Sequence, residues 1–162
     1  MKNALKIIDT GLYLALALLM TAIVLDVSWQ VITRFVMTKP SSYTEELAGF
    51  LLIWIGILGA AYAFRLKAHL GLDLVTAKLT GTRAQVIEII GWVVCFIFSA
   101  AVMVYGGLRL VLLTLELNQI SAALGVKMGY VYCAVPLSGL LICLYSLVFI
   151  AEAFGQRQSQ PI

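Results

Sequence analysis

Three groups of polar residues interrupt an otherwise apolar chain. Asp26, Gln30 and Arg34 are spaced i, i+4, i+8 and share one helix face. Glu45 and Glu46 stand side by side at the head of an apolar run that closes with Arg65, His69 and Asp73. Arg109 lies inside a later apolar run. A carboxylate at membrane depth can bind an ion or carry a proton, and it normally faces protein or water because lipid exposure is costly. Asp26 has that potential, but no second carboxylate lies at similar depth. The same residues also make a polar packing stripe, with Arg34 reaching out to the interface. The Glu pair suits the first turn of a helix, where the dipole favours carboxylates and Ser41, Ser42 or Thr44 can cap. Equally, Glu46 can pair with Arg34 across the short connection or reach a partner subunit.

Other chemistry is missing. His69 is the single histidine, so a metal or haem site within the chain lacks further ligands. Cys95, Cys133 and Cys143 fall inside apolar runs without CxxC spacing and read as small buried hydrophobes. No nucleophile–base pair or Gly-rich phosphate loop occurs. The reading is of a protein that is not an enzyme and uses no cofactor.

The elements that must position these residues follow from composition. Of 162 residues, 62% are hydrophobic and 12% charged, where soluble domains carry about 25%. Mean hydropathy is +1.03, and lipid is the solvent that suits such a chain. The net charge of +3 is small and its cations sit at the ends of apolar runs, a membrane pattern and not a nucleic-acid footprint. The N-terminal Lys2 and Lys6 precede an apolar run that resembles a signal peptide. That run continues to Val27, too long for one, and is read as a first span that stays.

The expected architecture is all-α: a single integral membrane domain over 1–162 with spans at about 10–35, 44–65, 84–115 and 130–154. A short amphipathic helix at about 70–80 is expected to lie in the interface between spans two and three, against membrane lipids. Pro40 ends the first span's helix, and Pro136 is expected to kink the fourth. The interval 116–129 reads as a loop with a short surface helix. Gly49, Gly56, Ala60 and Ala63 form a small-residue stripe on span two, a contact face within the chain or to another chain. With the N-terminus inside, seven basic residues fall on the cytoplasmic side (Lys2, Lys6, Arg65, Lys67, Lys78, Arg83, Arg157) and four outside (Arg34, Lys39, Arg109, Lys127), which favours N-in, C-in.

Four spans, one central proline and no internal repeat do not make a self-sufficient secondary transporter. They suit a small accessory or scaffold subunit. The alternative is a small homo-oligomeric ion- or proton-coupled channel or exporter using Asp26.

The stretch from Arg34 to Asp73 resembles the small membrane subunit, the Q-type small permease, of tripartite ATP-independent periplasmic (TRAP) transporters. Tyr43, Thr44, Glu45, Glu46, Trp54, Gly59, Ala60, Arg65, His69 and Asp73 carry the likeness, with Arg34 and Phe35 before the loop. Tyr43 stands where the family often has Trp. The resemblance implies a bacterial or archaeal inner-membrane complex driven by a sodium gradient. A periplasmic substrate-binding protein captures an organic anion such as sialic acid or a four-carbon dicarboxylate, and a large multi-span subunit carries it inward. The small subunit binds and enlarges that partner's scaffold. On this reading Arg34 and Glu46 act at the outer end of spans one and two, Arg65, His69 and Asp73 anchor the cytoplasmic turn, and Gly56 and Ala60 permit close packing.

Overall fold

The computed structural model of the chain describes residues 2–36, 42–66 and 82–157. Within them four helices are long and apolar enough to cross a membrane: Leu5–Val36, Ser42–Arg65, Val86–Glu116 and Met128–Ala153, hereafter spans one to four. The all-α, four-span architecture expected from composition is observed. The interfacial helix expected at 70–80 lies outside the described residues, as do Pro40, Lys67, His69 and Asp73.

Lipid supplies no hydrogen-bond partners, so polar groups in the spans must find them within the protein. Span one shows the simplest solution. Thr10, Thr21, Ser28 and Thr33 donate their hydroxyls to the carbonyls of Lys6, Ala17, Val24 and Gln30, at 2.8, 2.9, 2.6 and 2.9 Å. Its 32 residues extend about 48 Å, more than the ~30 Å hydrocarbon core, so the helix tilts or emerges.

Spans three and four are not uniform α-helices. Span three turns π-helical over Ser99–Gly106 before resuming as Gly107–Glu116. Wider i→i+5 bonding there shifts the side-chain register between its two halves. Span four opens with a short helix, Met128–Tyr132, and continues as Ala134–Arg157. The interruption falls at Cys133, one turn before Pro136. Proline has no N–H to give residue 132, and its ring crowds that carbonyl. The next bond resumes from Leu137 N to the Cys133 carbonyl at 3.2 Å.

The helices form a layer in the lateral order one, two, four, three. Span one packs its backbone against span two alone, and span three against span four alone. Span four is therefore central: 44% of its apolar window is buried, against 6% for span one. Leu12, Leu58, Phe64, Trp92, Tyr145 and Phe149 form the buried cluster. Phe149 is its hub, with ring centroids 5.8 Å from Phe64 and 5.5 Å from Trp92. Ser138 fastens span four to span two by donating to the Ile57 carbonyl at 2.8 Å.

Close approach of spans three and four depends on glycine. A Cβ on Gly129 would stand 2.5 Å from Leu115 Cγ, and one on Gly139 2.7 Å from Met103 Cβ. One on Gly107 would stand 3.0 Å from Pro136 Cδ. The small-residue stripe of span two behaves differently. Gly56 and Ala60 are exposed, and a Cβ on Gly49, Gly56 or Gly59 would meet nothing within 4 Å. Gly49, Gly56 and Ala60 thus face away from the described helices, while Ala63 of the same stripe is half-buried.

Gly139→Val should push spans three and four apart and destabilise the purified chain by about 1–3 kcal/mol. Thermal unfolding in detergent should show a lowered midpoint, while Gly56→Ala leaves it unchanged. Equal midpoints for both variants would contradict the glycine seam.

Candidate assembly site

Two polar clasps hold the ends of the bundle. At one end the last residue of span two, Arg65, turns its guanidinium to Asp9 on span one, with Nε 3.0 Å from Oδ2 and 3.2 Å from Oδ1. Tyr145 of span four donates its hydroxyl to the same Asp9 Oδ1 at 2.9 Å. The guanidinium also lies 5.6 Å from the Tyr145 ring centroid and 5.9 Å from that of Phe149. A cation over aromatic faces, partly shielded from water, gains from both ring and carboxylate. One arginine thus ties together three of the four spans. Arg65 was expected to act with His69 and Asp73, which lie outside the described residues; its partners here are Asp9 and Tyr145.

At the other end Glu46 receives the loop between spans three and four. The backbone N–H of Ala122 donates to Oε1 at 3.1 Å, and those of Ala123 and Leu124 donate to Oε2 at 2.9 and 2.8 Å. Three successive amides converging on a carboxylate make a compact anion nest. The loop is shaped to present them. Gly125 adopts φ +66°, a left-handed conformation that suits glycine. Ser121 N bonds the Val126 carbonyl at 2.9 Å, and Ile120 bridges Lys127 in antiparallel fashion. Here the structure corrects the expectation of a short surface helix. Residues 117–127 form a tight turn because these cross-loop bonds and Gly125 reverse the chain before a helix can propagate. Glu46 is accordingly directed to the loop, neither to Arg34 nor to the cap of its own helix.

The remaining candidates are scattered. Arg34, Tyr43 and Glu45 are exposed near the Glu46 end. Gly56 and Ala60 face outward from span two, with Gly59 half-buried beside them. Asp26 and Gln30 are half-buried in span one, and Asp26 Oδ2 is enclosed without a hydrogen-bond partner. Arg109 is exposed on span three, its guanidinium 5.8 Å from the Tyr105 ring centroid. These groups are not brought together around a reacting centre. The arrangement fastens helices and leaves polar and small residues on outward faces, which is the chemistry of assembly.

Asp9 and Tyr145 were missed from the sequence. Asp9 follows Leu5 by four residues and precedes Leu12 by three, which places it on the core-facing side. The cation closing an antiparallel second span is its natural partner.

Glu46→Ala should leave three loop amides without an acceptor, a loss of about 1–3 kcal/mol where such groups are shielded. Amide hydrogen exchange at Ala122, Ala123 and Leu124 should accelerate by about fivefold or more while the helices keep their protection. Unchanged exchange would show that the carboxylate does not hold the loop.

Comparison with known proteins gives this arrangement a context. The family model described as "Tripartite ATP-independent periplasmic transporters, DctQ component" matches residues 23–156. The chain is 27% identical over 113 residues to the C4-dicarboxylate TRAP transporter small permease protein DctQ of Rhodobacter capsulatus, covering 70% of this chain and 48% of that protein. It is 29% identical over 125 residues to the isethionate TRAP transporter permease protein DctMQ of Oleidesulfovibrio alaskensis, covering 74% of this chain and 20% of that protein. A shorter match, 33% over 61 residues, reaches the sialic acid TRAP transporter small permease protein SiaQ of Vibrio cholerae, covering 38% of this chain and 35% of that protein. The chain thus spans about half the length of the first of these relatives and a fifth of the second. Proteins of this kind are transporter components of the inner membrane and not enzymes, and the four helices long and apolar enough to cross a membrane agree with that location. The chain belongs to the DctQ family of tripartite ATP-independent periplasmic transporter components.

Proposed function

We propose that this chain is the small scaffold subunit of a sodium-coupled TRAP transporter that imports organic anions. It binds and stabilises a large multi-span transport subunit, and a periplasmic substrate-binding protein docks on the assembly transiently. The observation that carries this reading is the family match over residues 23–156. The structure supports it by what its polar groups do. Asp9, Arg65, Tyr145 and Glu46 are engaged in fastening the bundle, and a scaffold needs fixed helices more than a substrate path.

The named relatives handle a C4-dicarboxylate, isethionate and sialic acid. All are organic acids that carry negative charge at neutral pH, and that class is the substrate proposed for the assembled system. The proposed orientation is N-in, C-in, from the excess of basic residues on one side of the spans. The Asp9–Arg65 clasp is then cytoplasmic and the Glu46 nest periplasmic. The nest is well placed to give the periplasmic protein a firm edge. The interfacial helix at 70–80 remains part of the proposal, lying flat on the cytoplasmic leaflet with Lys78 and Arg83 towards anionic headgroups.

Affinity purification from native membranes in mild detergent, with mass spectrometry, should recover a stoichiometric large multi-span partner. Uptake of an organic anion by the intact system should require a sodium gradient. A homo-oligomer with no partner would overturn the reading. Gly56→Leu offers a finer test. Because its site is open in this chain, the variant should fold normally alone yet recover less of the partner if the outward stripe meets that partner. Full recovery would remove Gly56 from the assembly surface.

A further inference from the structure

A groove of about 500 Å³ runs between span one and span four, with span two as its floor. Gly11, Leu12, Ala15 and Leu19 line one wall, Leu141 the other, and Trp54 the floor. The groove exists because spans one and four both pack on span two and their backbones do not meet.

Asp26 lies beyond the lining of this groove, on the same face of span one as Leu12 and Leu19. Leu5, Leu12, Leu19, Asp26 and Thr33 recur every seven residues, so they form one seam along span one. Leu12 and Thr33 are buried, and Leu12 and Leu19 line the groove. Asp26 follows Leu19 by about 10 Å along the helix axis. Its Oδ2 is enclosed and has no hydrogen-bond partner. Nearby hydroxyls avoid this problem: Thr21 and Ser28 donate back to their own helix carbonyls. An ionised carboxylate can only accept, and the interior of a helix offers no free N–H. Among the described residues no donor meets this oxygen, and a helix of another subunit packed on span one can bring one.

We infer that the groove and Asp26 together seat a transmembrane helix of the large subunit, whose apolar side chains fill the groove while a donor on the same helix meets Asp26. The inference rests on the small-subunit reading above and specifies which face of this chain makes the contact. An acyl chain fits the apolar groove but carries no donor along its length. A helix brings apolar side chains and a donor at a fixed offset, which is what the seam from Leu12 to Asp26 requires.

The test is photo-crosslinking in the complex purified from native membranes. A photoreactive amino acid is placed at Leu18 or Leu137, which line the groove, or at Val24. Val24 lies nine residues from Ala15, about two and a half turns, and so on the far face of span one. Expected are adducts with the large subunit from Leu18 and Leu137 and none from Val24. Adducts with lipid only, with a second copy of this chain, or equally from Val24 would overturn the inference, as would an intact complex with no adduct. Failure to recover any large subunit would instead overturn the small-subunit reading itself. In parallel, Asp26→Leu should lower partner recovery about threefold to thirtyfold, the range of one interhelical hydrogen bond in lipid, while Asp26→Asn, which keeps an acceptor, retains it. Equal recovery with both variants, or equal loss, would remove Asp26 from the contact.

Discussion

A polar atom inside a bilayer must find its partner in protein, because lipid tails offer none. That constraint organises this molecule more than hydrophobic burial does, since lipid is as apolar as any leucine. Thr10, Thr21, Ser28, Thr33 and Thr114 fold their hydroxyls back onto their own helix. Ser138 reaches across to the Ile57 carbonyl. The ionisable groups with described partners gather near the helix ends, in the Asp9–Arg65–Tyr145 clasp and the Glu46 nest. Between those fixed ends the helices need only fit.

Fit is achieved unevenly. Spans three and four are pressed together through Gly107, Gly129 and Gly139, and the π-helical stretch of span three brings Met103 over Gly139. Span one is joined more loosely, along a single neighbour and through the Arg65 clasp. A protein with one tight half and one open half is suited to receiving a partner along the open side, where the groove beside span one lies.

Much of this was legible in the sequence, and the parts that were not share a physical cause. The four spans are visible because hydropathy is a local property that lipid selects directly. The break before Pro136 is local too, and only its position one turn upstream needed the structure. The roles of Asp9, Tyr145 and Glu46 are pairings across 56, 136 and up to 78 residues of chain. No local pattern encodes which antiparallel neighbour lies opposite. The glycines illustrate the same limit. Gly49, Gly56 and Ala60 make the more regular stripe and face outward, whereas Gly107, Gly129 and Gly139 look unpatterned and are the ones that carry close packing. Spacing identifies a small face, but the lateral order of helices decides whether that face meets the same chain. Composition and the missing repeat already suggested an accessory subunit, and the family match over residues 23–156 gave that subunit its kind.

The lateral order one, two, four, three has a consequence for how the protein is made. The ribosome delivers span three before span four, yet among the described helices span three packs its backbone on span four alone. The contacts that unite the first pair of helices with the third thus run through span four. The last helix to emerge is the one that joins them, wedging its glycine face against span three while Ser138 and Tyr145 engage the first pair. The C-terminal segment is thus the keystone of the bundle: remove its contacts and a helix pair and a lone helix are what the remaining ones describe.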